Sequence, residues 1–124
     1  MRRRLRLSRG RIRRYVARAL EGLPDQFREA ADNVMVVVES HPTPEDERDQ
    51  RARQDGPLMG IYRGVPLSER AGYQLVTPDV IAIFRKPLLR LCRSRRDVEE
   101  EVRLTVLHEF GHFLGLEEEQ VEHL

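Results

Sequence analysis

The sequence has no tryptophan, a single cysteine and a single lysine in 124 residues. A lone Cys92 excludes an internal disulfide and fits a reducing compartment. With no CxxC partner, and far along the chain from any other candidate ligand, its thiol reads as packed, not metal-bound. The scarcity of lysine beside abundant arginine is what GC-rich coding produces, and it carries little functional weight. No run approaches the roughly 18 apolar residues of a membrane span. The basic start resembles the head of an export signal, but Arg11, Arg13, Arg14 and Arg18 interrupt every apolar stretch after it. The first 20 residues also lack acid, as an organellar transit peptide would; against that, the segment from Ile12 onward is needed for a core. The expected location is the cytoplasm.

What is present argues for a folded domain. Leu, Ile, Val and Phe make up 35 of the 124 residues, and the formal net charge is only +1, a combination that disordered chains do not show. The length suits one domain, residues 1–124, able to bury roughly two-thirds of its unfolded surface without a covalent staple.

Ile12, Tyr15, Val16, Ala19, Leu20 and Leu23 fall at steps of three and four, which predicts an amphipathic helix capped by Ser8 and stopped by Gly22 and Pro24. Residues 1–7 precede it as a basic arm. Val34 to Val38, five apolar residues and four of them β-branched, read as a strand buried on both faces. Residues 39–57, with three prolines and no apolar period, read as a long polar loop; a solvated loop is favoured over an active-site lid. Short strands are expected at Leu58 to Tyr62, at Gly72 to Val76 and, closed by Pro87, at Val80 to Phe84. Leu88 to Cys92 suits one helical turn. Val98, Val102, Val106, Phe110 and Phe113 then mark a helix over 97–114, with Asp97 as N-cap and Gly115 as its C-terminal stop. The order predicts an α+β domain, two main helices packed on a small mixed sheet of three to four strands.

Inside the last helix lies His108-Glu109-Phe110-Gly111-His112. Histidines four apart share one helix face, with Cβ atoms about 5–6 Å apart, so both imidazoles can converge on one zinc ion. Glu109, about 100° round the helix, is aimed past the metal at its water, where a carboxylate can act as general base. A fixed HExxH arises by chance in fewer than about one in a hundred chains this long, and here it sits on a strongly periodic helix. Such a site needs a third protein ligand and an open position. A straight helix would carry Glu119 about 10 Å beyond His112; a left-handed turn at Gly115 would instead fold the chain back, with Glu118 the first candidate and Glu119 and His123 behind it.

HEFGHFLGLEE resembles the HExxHxxGxx(H/D/E) pattern of metzincins and of very small bacterial proteins described as minimal zincin-like metallopeptidases. ALEGLPDQFREAADNVMVVVE resembles that small family's opening helix, Leu-Pro turn and first strand, and LMGIYRGVPL its second strand, so about two-thirds of the chain is covered. The resemblance implies a zincin-like fold reduced to two helices and a short sheet, one zinc ion, His108, His112 and Glu118 as ligands, and Glu109 as catalytic base. It departs from full metzincins in having an acid as third ligand and no room for a Met-turn or a tyrosine beyond it. Tyr62, Tyr73 or an arginine could take the oxyanion role, and each is equally explained as packing. Zincins bind substrate as an added strand at a sheet edge; Val80 to Phe84 and Leu58 to Tyr62 are the candidates, with ordinary core strands the simpler reading.

The function expected is therefore zinc-dependent hydrolysis of peptides or unfolded protein segments. Two alternatives stand beside it: a catalytically weak or inactive zinc-binding interaction module, and a nucleic-acid-binding protein using the arginines that fill eight of the first 14 positions. That arm has no interleaved aromatic except Tyr15, so a solvated terminus is preferred over nucleic acid. No membrane partner is expected, and the oligomeric state is not legible.

Overall fold

The computed structural model describes residues 5–49, 57–65 and 79–121. Its first helix, α1 (Arg9–Glu21), begins where Ser8 Oγ accepts the Arg11 N–H at 3.1 Å, the cap expected for a polar residue ahead of an apolar stripe. Ile12, Tyr15, Val16 and Ala19 form its buried face. Leu7 is also buried and Leu5 packs against the same core, so residues 5–7 are anchored to the domain. A short helix, α2 (Asp25–Ala31), follows Pro24.

Three strands make the described sheet: β1 (Val34–Glu39), β2 (Gly60–Arg63) and β3 (Asp79–Phe84), in the order β1-β3-β2. β1 pairs parallel with β3, Val36 opposite Ile81, and β2 pairs antiparallel with it, Ile61 opposite Ala82. The sheet is mixed and the fold is α+β, as expected. The strand expected at Gly72 to Val76 lies outside the described residues.

The burial differs from expectation in an instructive way. β1 is not enclosed on both faces: it is an outer strand of the described sheet, Met35 is 58% exposed, and only Val38 is fully buried. The strand covered on both sides is the central β3, whose Ile81, Ala82, Ile83 and Phe84 are all inaccessible. That position also removes Val80 to Phe84 as a candidate edge for substrate. Ile81 and Ile83 join the main core with α1 and the last long helix, while Ala82 and Phe84 pack with Ile61, Val37 and Leu58 in a second, smaller cluster. Each large side chain so buried contributes about 1.5–3 kcal/mol.

Residues 39–57 are not one loop. Glu39 ends β1, and Thr43 starts α3 (Pro44–Arg48) with a capping box, its Oγ1 accepting the Asp46 N–H while Asp46 accepts the Thr43 N–H. Asp46 has a second task. With Glu39 it clamps Arg63, which donates Nε and Nη2 to Asp46 at 2.9 and 2.8 Å and Nη1 and Nη2 to Glu39 at 3.0 and 2.8 Å. One guanidinium thus ties β1, α3 and β2 together. It lines a cleft of about 470 Å³ that contains no residue of the HEFGH run. Burial pushes the Asp46 carboxyl up, but the hydrogen bonds from Arg63 and Thr43 outweigh it and hold the group below its ordinary value. A depressed folded-state pKa contributes stability that is present above the unfolded value, about pH 4, and lost as pH falls through the folded one. Urea midpoints measured from pH 5 down to pH 2.5 should therefore fall more steeply for the wild type than for Asp46→Asn; parallel curves would remove Asp46 from the acid transition.

β3 passes directly into α4 (Arg85–Leu91), longer than the single turn expected, with Pro87 inside its first turn instead of closing the strand. Cys92 follows, packed in the main core. Burial, with Glu101 and Asp97 nearby, pushes its thiol up to about 11, so at neutral pH it is a protonated core residue and not a thiolate ligand. The long helix α5 (Arg95–Leu114) starts two residues before the expected 97–114. Its cap is Ser94, whose Oγ accepts the Asp97 N–H at 3.1 Å, and Asp97 returns a bond to the Arg93 N–H at 3.1 Å. Asp97 is thus the acidic partner of the cap. A last short helix is α6 (Glu118–Val121). No helix among the described residues is long and apolar enough to cross a membrane.

Candidate metal centre

The second half of α5 carries His108, Glu109 and His112, and three features fix how it lies. Val98, Val102, Val106, Phe110 and Phe113 are fully buried along one side, seating the helix on α1 and the sheet. The rings of Phe27, Phe110, Phe113 and Tyr62 follow one another at centroid distances of 6.0, 5.6 and 5.7 Å, a favourable spacing for aromatic pairs. Gly60 sets the approach of β2: a Cβ there would lie 2.5 Å from Thr105 Cγ2 and 3.0 Å from Ala82 O. Only glycine lets this strand come so close to α5.

On this frame the ligand atoms of His108, Glu109 and His112 lie within 4.8 Å of one another. The two imidazoles are half-buried and meet edge to face, Nε2 to Nε2 at 3.1 Å. Two ligand nitrogens on one tetrahedral zinc with bonds of about 2.0–2.1 Å stand roughly 3.3 Å apart. The observed separation is close to that, and both nitrogens address the same small space, so the donor set fits zinc.

Glu109 borders the same space from a buried position. It is 5% exposed, and its Oε1 accepts the backbone N–H of Tyr62 at 2.9 Å. The register of β2 on β3 and the bond from Phe84 N–H to Met59 O put Met59, Ile61 and Arg63 in the shared ladder. Tyr62 N–H therefore points away from β3, towards α5. The Tyr62 ring is buried, and its hydroxyl donates to Asp79 at 2.6 Å, which makes Tyr62 a packing residue and turns its hydroxyl away from the oxyanion role. Tyr73 lies outside the described residues. The anchoring of Glu109 by a backbone amide was not foreseeable from residue types; the nearest signal was Gly60, a glycine inside a strand pattern.

The turn after α5 is as expected. Gly115 is left-handed at φ 82°, its N–H bonds to His112 O at 2.9 Å, and Leu116 N–H bonds to Gly111 O at 3.0 Å. This pair of bonds is the glycine-ended helix stop known as the Schellman motif. After this turn comes α6, starting at Glu118, which contacts α5. Glu119 is exposed, and His123 lies outside the described residues. Among those residues the histidine–glutamate group is the one cluster with metal-ligand geometry, and Cys92 is not in it.

Comparison with known proteins agrees with this arrangement. The model of a family described as zincin-like metallopeptidase matches residues 31–124. A solved structure, a conserved hypothetical protein from Thermo thermophilus, is similar at a TM-score of 0.58 and 23% identity, over 87% of this chain and 94% of that one. At that identity the likeness speaks for the fold alone. No curated protein matches the chain.

Proposed function

Because the chain belongs to the zincin-like metallopeptidase family, we propose that it is a zinc-dependent peptidase, with His108 and His112 holding the ion, Glu118 as third ligand and Glu109 as general base. The observation that carries this reading is the 3.1 Å meeting of the two Nε2 atoms beside the anchored carboxylate. Support for Glu118 is the left-handed turn at Gly115, after which α6, beginning at Glu118, contacts α5. Zinc, when bound, supplies acidity to a water and polarises the scissile carbonyl.

The chain's own residues do the rest. His108 and His112 would hold the ion through their Nε2 atoms. Glu109, held through Oε1 by Tyr62 N–H, takes a proton from the water as its oxygen attacks the carbonyl carbon. It then passes that proton to the leaving nitrogen as the C–N bond breaks. The proposed substrate is an extended peptide or unfolded segment, for which β2, an outer strand of the described sheet next to Glu109, offers a template.

Metal analysis tests the ligand set. The wild type should carry about one zinc per chain, and Glu118→Ala should lose most of it under the same dialysis. Undiminished zinc in that variant sinks the third-ligand assignment. A wild type that holds zinc yet is silent across a broad peptide library leaves a zinc-binding module in place of a peptidase.

A further inference from the structure

Tyr62 grips the second half of α5 at two points. Its N–H holds Glu109, and its ring lies edge-on to Phe113, one turn further along the same face of the helix. A third contact leads away from α5. In the register of β2 on β3, Tyr62 stands opposite Ile81, so Asp79 is its diagonal neighbour on the same face of the sheet. The Tyr62 hydroxyl donates to Asp79 Oδ1 at 2.6 Å, and both residues are buried. Gly64 closes over this bond: a Cβ there would come within 2.5 Å of Asp79 Oδ1 and 2.7 Å of the Tyr62 hydroxyl oxygen.

Stability alone is a poor reason for such a pair. Replacing both partners of a buried hydrogen bond by apolar groups of the same shape is close to neutral. What a buried hydroxyl–carboxyl contact adds is a fixed direction.

Direction matters at Glu109. One of its ligand oxygens lies within 4.8 Å of ligand nitrogens of His108 and His112, and a carboxylate so close can act either as ligand or as base. Holding Oε1 on the Tyr62 N–H limits its rotation. The ladder bonds of Ile61 and Arg63 aim that N–H away from β3, but β2 is only four residues long. How closely the N–H stands to α5 is set by the Tyr62 side chain, wedged on Phe113 and tied to the central strand through Asp79.

We propose that Asp79 is a positioning residue for Glu109, acting through the Tyr62 side chain on the peptide group that holds the base. The catalytic consequence rests on the peptidase reading; the linkage from Asp79 to Glu109 does not.

Two variants test it, Tyr62→Phe and Tyr62→Phe/Asp79→Leu. The second replaces both polar partners by apolar groups of similar shape, so its thermal melt should lie near that of the wild type. In both, kcat and kcat/KM on a peptide selected from a library should fall together by about 10–100-fold, with zinc content unchanged. A purely structural role would not move the second readout, the nuclear magnetic resonance coupling carried across the hydrogen bond from the amide nitrogen of residue 62 to the carboxyl carbon of Glu109. It should shrink by about half or more in both variants, because such bonds weaken steeply as their geometry degrades. An unchanged coupling overturns the proposal whatever happens to turnover, and so does wild-type turnover beside a reduced coupling. A wild type that hydrolyses no peptide sinks the peptidase reading instead, and the coupling alone then decides whether Asp79 controls Glu109. If the double variant does not fold, Tyr62→Phe carries both measurements.

Discussion

Glu109→Gln should lower kcat for peptide hydrolysis by about 10²–10⁴-fold while leaving zinc content unchanged, because a positioned acid–base group contributes about that factor. The substitution is well matched to the site. Glutamine keeps a side-chain oxygen where Oε1 now accepts the Tyr62 N–H at 2.9 Å, so the helix stays docked on β2 and only the basicity is lost. Glu109→Ala is the informative contrast. It also removes this acceptor from a buried amide, at a cost of about 1–3 kcal/mol. Turnover on a peptide selected from a library, metal analysis and thermal melts separate the two effects. Wild-type turnover in Glu109→Gln would exclude this residue as the base, and a melt equally depressed in both variants would mean that the amide needs the charge as well as the oxygen.

The largest stability effect belongs to the middle residue of the same run. Phe110→Ala should cost about 3–5 kcal/mol, a large share of the roughly 5–15 kcal/mol that holds a domain. Phe110 is fully buried, with its ring edge-on to Phe27 of α2 and tilted against Phe113 one turn on. Its removal opens a cavity between α2 and α5, on the helix that carries both histidines. Denaturant titration at fixed zinc measures the loss, and zinc affinity should weaken with it, since binding and folding are linked. A loss under about 1 kcal/mol would mean the surrounding side chains collapse into the space.

What was legible in the sequence follows the length and periodicity of each segment. The stripe of α1, with Ser8 before it, and the stripe of α5, with Gly115 after it, are strong because four or more buried positions repeat in each. The metal group was legible for the same reason: residues four apart on a sound helix must share a face. The misreadings lie where a short polar segment or a tertiary neighbour decides. α3 is five residues long and depends on its capping box and on the ion pairs of Asp46 with Arg63, a partner no local pattern names. β1 and β3 are both apolar runs, and only their places in the sheet make one outer and the other central. Ser94 prevailed over Asp97 as the cap because Asp97 could serve Arg93 from inside the first turn. The Tyr62 anchor of Glu109 is a main-chain group, which residue identity does not report at all.

That anchor gives the protein an internal gauge. Amides that face outward on an outer strand normally exchange their hydrogens with solvent quickly. The Tyr62 amide, held by a carboxylate from α5, exchanges only when the second half of that helix lifts from β2 or Glu109 swings out. Its protection factor therefore measures the free energy of one local opening, the one that takes the proposed base out of position, and it can be read without substrate.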